Sequence, residues 1–132
     1  MTHKAVLCAL CALCALALVA CKKNQSEKVY VVTGEADGIT PTSANITFYI
    51  YPDSSMKNIE KGVMASTDPE FTIISVDGSI GYTNDTPEYM LYMNMLEPST
   101  KYYYKAYLFC EKNGKSLKYF GEVKTVTTLP EV

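Results

Sequence analysis

Residues 43–51 alternate strictly. Ala44, Ile46, Phe48 and Ile50 fall on one side, and Asn45, Thr47, Tyr49 and Tyr51 on the other. Only an extended chain sends successive side chains to opposite faces, so this stretch predicts a strand with one face buried. A strand cannot stand alone, because its N–H and C=O groups need partners. The rest of the chain offers them. Short runs rich in Val, Ile, Thr and Tyr recur at Val29–Gly34, Lys61–Ser66, Phe71–Val76, Glu88–Leu96, Thr100–Cys110 and Leu117–Thr127, with a further short strand over Ser79–Thr83. Between them lie Gly38-Ile39-Thr40-Pro41, Pro52-Asp53-Ser54-Ser55, Thr67-Asp68-Pro69, Asp77-Gly78 and Asn113-Gly114, all turn chemistry. Outside residues 5–19 no segment has a helical period. The expected fold is all-β: a single antiparallel β-sandwich of about seven strands.

The start of the chain reads differently. Met1-Thr2-His3-Lys4 carries one fixed positive charge, and residues 5–19 are continuously apolar. That run falls short of the roughly 20 residues of a membrane span and has the order of a secretory signal. Its end, Leu18-Val19-Ala20-Cys21, resembles a bacterial lipobox. The resemblance implies cleavage before Cys21 and a diacylglyceryl group on the Cys21 thiol. Mature lipoproteins of this kind carry three acyl chains. At about 0.8 kcal/mol per buried methylene, one chain binds only marginally, whereas three hold effectively for good. The expected organisation is a cleaved signal over 1–20, a short polar tether over 21–28, a domain over 29–128 and a tail over 129–132. The expected location is the cell envelope, lipid-anchored at the outer membrane on its periplasmic or surface side.

This start filters the chemistry. His3 is the one histidine of the chain and leaves with the signal. The mature chain then lacks His general bases, Ser-His-Asp or Cys-His systems and His metal ligands. Cys8, Cys11 and Cys14 are spaced like part of an iron–sulfur ligand set. They are separated only by Ala and Leu inside the discarded segment, so they read as small hydrophobes. Of five cysteines, Cys21 and Cys110 remain. With Cys21 lipidated, Cys110 is a lone thiol, expected as a hydrophobe at a strand end; Lys112 is its nearest cation in sequence. The acids Asp53, Asp68, Asp77 and Asp85 stand mostly beside Gly, Pro, Ser or Asn, which is turn chemistry. No metal site, cofactor or catalytic residue is expected, and the chain reads as a non-enzyme. The formal charge is −2, it becomes more negative once Lys4 leaves, and there is no Arg. Such a surface suits nucleic acid poorly.

A second resemblance lies at Leu96, Pro98, Thr100 and Tyr102, followed by the alternating Tyr104, Ala106 and Leu108. This pattern resembles the corner between the fifth and sixth strands of a fibronectin type III-like domain. It implies that the Tyr102 hydroxyl bonds to backbone just upstream while its ring packs inward. Gly62-Val63-Met64-Ala65-Ser66 and Gly121-Glu122-Val123 with Thr127-Thr128 resemble the third and last strands of the variant found in Gram-negative surface lipoproteins. The resemblance spans Val29–Thr128. The core Trp common in the second strand of the family is absent, and Phe48 or Ile50 is expected to fill its volume.

If Tyr102, Tyr104, Ala106 and Leu108 point inward, then Tyr103, Lys105, Tyr107 and Phe109 point outward. Tyr103, Tyr107 and Phe109 form an aromatic stripe and are the candidate binding face. Tyr49 and Tyr51 are expected on the outer face of the other sheet, beside Met90 and Tyr92. Tyrosine combines a flat apolar ring with a polar tip, which suits protein contacts and sugar stacking. It also favours strands for purely structural reasons. The expected function is a lipid-anchored, non-catalytic binding or adhesion module of the envelope, reaching the membrane through Cys21 and taking a protein or glycan partner. The alternative is a structural or accessory subunit of a larger outer-membrane or surface complex.

Overall fold

A computed structural model describes residues 28–80 and 87–132. The signal, Cys21 and all of the tether but Lys28 lie outside the described residues. Eight strands follow one another: β1 (Val31–Asp37), β2 (Ala44–Ile50), β3 (Lys57–Ser66), β4 (Val76–Ile80), β5 (Glu88–Met93), β6 (Lys101–Lys112), β7 (Lys115–Phe120) and β8 (Lys124–Thr127). They form two antiparallel sheets. One has the order β1-β2-β5, and the other β4-β3-β6-β7, with β8 also on β6. β7 lies along Tyr107–Lys112 of β6 and β8 along Lys101–Tyr104. The two are therefore halves of one edge strand, and the architecture is the seven-position fibronectin type III-like sandwich.

The alternation in β2 survives intact. Ala44, Ile46 and Phe48 are fully buried and Ile50 nearly so, while the residues between them are half-buried. Phe48 occupies the central volume and stacks on Tyr89 of β5 at 5.6 Å. From the opposite sheet come Val63 and Ala65 of β3 and Tyr102, Tyr104, Ala106, Leu108 and Cys110 of β6, all buried. Each large side chain buried here contributes roughly 1.5–3 kcal/mol.

The corner forms as its residues imply. The Glu97 N–H donates to the Tyr102 hydroxyl at 2.8 Å. The Thr100 hydroxyl donates to the Pro98 carbonyl at 2.8 Å. Thr128 ties the corner to the chain's end, accepting from the Thr100 N–H at 2.9 Å and donating to the Glu97 carbonyl at 2.6 Å. The Asn113-Gly114 turn joins β6 to β7 with both residues at positive φ, 52° and 74°, as a two-residue hairpin turn of this hand requires.

Three expectations change. Of the run expected over Phe71–Val76 only Val76 is in a strand, and Asp77-Gly78 is not a turn but lies within β4. The Asp68 carboxylate takes the N–H groups of Glu70 and Thr72 and the Thr72 hydroxyl, and Phe71 sits at φ 55°. This self-capped loop replaces ladder pairing, and it leaves Ile73 exposed. Leu117–Thr127 is interrupted at Gly121. There Thr33 crosses from the other sheet and its hydroxyl accepts the Ala106 N–H at 3.1 Å. A Cβ on Gly121 would collide with Thr33, so the glycine makes that crossing possible. Finally, β3 begins at Lys57, before a bulge, rather than at Lys61.

Candidate functional site

The outer face of the larger sheet is built by β6 and its neighbours. Across β6, Tyr107 pairs with Phe120 and Phe109 with Lys118. On the other side Gly62 opposes Tyr107, Met64 opposes Lys105, and Ser66 opposes Tyr103. The rings of Tyr107 and Phe109 stack at 4.6 Å, and Phe120 meets Phe109 edge-on at 5.9 Å. Lysines lie over these rings. Lys105 Nζ is 4.1 Å from the Phe120 centroid and 4.4 Å from that of Phe71. Lys118 covers Phe109 at 5.3 Å, and Lys101 covers Tyr103 at 5.1 Å. Each such contact is worth about 0.5–1 kcal/mol where water reaches it.

The three aromatics of the candidate stripe therefore have different fates. Tyr103 and Phe109 are half-buried and reach the surface. Tyr107 lies on the outer face but is only 1% exposed. The expectation that it offers open surface is corrected. It stands opposite a glycine on β3, so no side chain there lifts the ring off the sheet, and Phe109 stacks on it. Its hydroxyl makes no hydrogen bond of normal geometry among the described residues. Burial, reinforced by the carboxylates of Asp77 and Glu60, pushes its pKa up. Tyr107 is a floor for this face, and the half-buried Phe109 stacks above it. Tyr103 lies at the other end and touches neither ring among the described aromatic contacts.

Phe71, Phe120, Lys105 and Lys118 complete the face; of these the alternation of β6 placed only Lys105 outward, and the other three were not expected there. Phe120 had a signal: Lys118 and Phe120 share a side of β7 by simple alternation. Phe71 had none, because it arrives on an irregular loop.

The smaller sheet carries the other expected group. Thr47 pairs with Met90 and Asn45 with Tyr92, so Met90 and Tyr92 do flank the outward side of β2. Both are 60% exposed, and Tyr51 is 44% exposed.

Away from both faces, Asp53 and Lys112 form an ion pair at 2.8 Å. The Lys112 hydrogen bond, helped by Ser55, holds the Asp53 carboxyl well below the usual carboxylate range. Lys112 is raised in return. Cys110 is buried, and burial pushes its thiol pKa up, with Asp53 adding to the effect and Lys112 opposing it. A raised pKa disfavours the thiolate that reactivity needs, as suits a packing residue.

No protein-family model and no curated protein matches the chain. Solved structures do. The chain is similar to the sensor domain of the anti-sigma factor RsgI4 of Pseudobacteroides cellulosolvens, with a TM-score of 0.58 and 19% identity over 80% of this chain and 99% of that one. It is similar to part of PhoD, with a TM-score of 0.51 and 18% identity over 77% of this chain and 19% of that one. It also resembles the fibronectin type-III domain of a human fibronectin type III domain containing protein, with a TM-score of 0.47 and 15% identity. At these identities what the chain shares with the RsgI4 domain and with that part of PhoD is the fold.

Proposed function

We propose that the mature protein is a non-catalytic binding module, held at the cell envelope by lipid on Cys21, that meets its partner through the outer face of β6 and β7. The observation that carries this reading is the aromatic layer of Phe109 and Phe120 over Tyr107, with Lys118 over Phe109 and Lys105 between Phe120 and Phe71. Rings held by a sheet lose little further entropy on binding, and aromatic surface with a few cations suits a protein or glycan partner. That this fold forms a sensor domain in RsgI4 is consistent with a recognition role. The lipobox-like Leu18-Val19-Ala20-Cys21 supports the anchor and a place at the outer membrane.

Two substitutions separate the anchor from the face. Cys21→Ser should move the protein from the membrane to the soluble fraction and abolish lipid labelling. Phe109→Ser should leave the membrane fraction unchanged and reduce crosslinking to the main cellular partner or retention on a glycan array. Unchanged lipid labelling of Cys21→Ser overturns the anchor, and unchanged capture by a folded Phe109→Ser overturns the face. The exposed Met90 and Tyr92 on β5 favour one second reading, an accessory subunit of a larger envelope complex that packs through the smaller sheet. Partner crosslinks mapping to β5 would support that reading.

A further inference from the structure

Lys61 is a charge placed where the fold buries hydrophobes. It lies on the core side of β3, in register with Leu108 of β6, and is only 6% exposed. A buried ammonium is costly unless an anion pairs with it, and buried lysines are rare without one. Among the described residues Lys61 has no hydrogen bond and no ion pair. Its Nζ instead rests 5.1 Å from the ring centroid of Tyr89, across the sandwich on β5. Burial lowers its pKa. In front of it a cavity of about 280 Å³ opens between the ends of the two sheets. Ile50, Met56, Ile59 and Tyr89 make its apolar wall, and Asn58 contributes one polar group. No carboxylate lines it among the described residues.

We propose that this cavity binds a small amphipathic monocarboxylate, with its anionic head at Lys61 Nζ and its apolar body against Ile50, Met56, Ile59 and Tyr89. An incoming carboxylate supplies the counter-charge that Lys61 lacks among the described residues. In so apolar a setting the resulting charge-assisted hydrogen bond is strong. The single cation selects the charge state: one ammonium balances a monoanion, whereas a phosphate dianion would carry an uncompensated charge into apolar surroundings. The volume lies near the lower end of ligand cavities, roughly 300–1,000 Å³, which selects a short chain or one ring. This site is separate from the outer face of β6 and does not depend on it.

Hexanoate is a suitable probe, with hexanol and hexylamine as controls of the same length. Calorimetric titration of the purified protein should show saturable hexanoate binding and none for the two controls. Lys61→Met keeps the apolar stem and removes the charge, and should weaken hexanoate by about tenfold or more. Ile59→Glu sets a carboxylate at the cavity wall, where it would occupy Lys61 and block hexanoate; it decides the matter if Lys61→Met fails to fold. Absence of saturable hexanoate binding by the unmodified protein overturns the proposal. So does hexanoate binding of unmodified strength in a folded Lys61→Met protein or, where that variant does not fold, in Ile59→Glu.

Discussion

The two outer faces of this sandwich use similar residues in opposite ways. On the larger sheet Tyr107 is 1% exposed, stacked on by Phe109 and standing opposite a glycine. On the smaller sheet Tyr92, equally outward by alternation, is 60% exposed, with Asn45 opposite it on β2. The difference comes from sheet width. β6 has a paired strand on both sides, and its own Phe109 with Phe120 and Lys118 of β7 close over its outer face. β5 is the edge of a three-stranded sheet and has a neighbour on only one side. An outward position thus means surface at an edge strand and a second, shallow core at a central one.

The sharpest way to break this comparison is to truncate the two tyrosines in parallel. Tyr107→Ala should lower unfolding free energy by about 3–5 kcal/mol, as for a buried aromatic. Tyr92→Ala should stay within about 0.5 kcal/mol, as for an exposed side chain. Urea unfolding of both variants measures the gap, and equal losses would show that the outer face of β6 is not a packed layer. A smaller effect sharpens the role of the lysines. Lys105→Met keeps the stem and removes the charge lying over Phe71 and Phe120, and should cost about 0.5–1 kcal/mol. Proteolysis within the 67–75 loop should quicken in step, because Phe71 loses its contact with the sheet.

The smallest effect belongs to the Asp53–Lys112 pair, outside both faces. Asp53 has its pKa lowered in the folded state relative to about 3.9 unfolded. Its contribution is present above that unfolded value and fades as pH falls through the folded one. Asp53→Asn should therefore melt lower than the unmodified protein at neutral pH, and the difference should close in strong acid. Both outer faces should be unaffected, which makes this variant a control for the Tyr107, Tyr92 and Lys105 variants.

Much of the scaffold was legible because it is local. The alternation of Ala44 to Ile50 needs only a period of two. The corner at Leu96 to Tyr102 needs only residues within a few positions of one another, plus Thr128 to close it. Asn113-Gly114 carries its turn in its own backbone preferences. The misread loop shows where such reasoning stops. Asp77-Gly78 has strong turn chemistry, yet β3 pairs along it, because the Asp68 carboxylate had already turned the chain earlier. Likewise nothing near Gly121 announces that Thr33, far away in sequence, will cross over and split the last strand.

Periodicity and turn chemistry are properties of neighbouring residues, and they were enough for an all-β sandwich, the inward set on β2 and β6, and the tyrosine corner. That Tyr107 is a floor, that Phe71 and Phe120 share Lys105, and that Lys61 faces a cavity with no counter-charge among the described residues came from the three-dimensional arrangement. Each of these depends on which strand lies alongside and what stands across the gap between sheets. Burial and electrostatics act through distance in space, and the order of residues along the chain does not contain that distance.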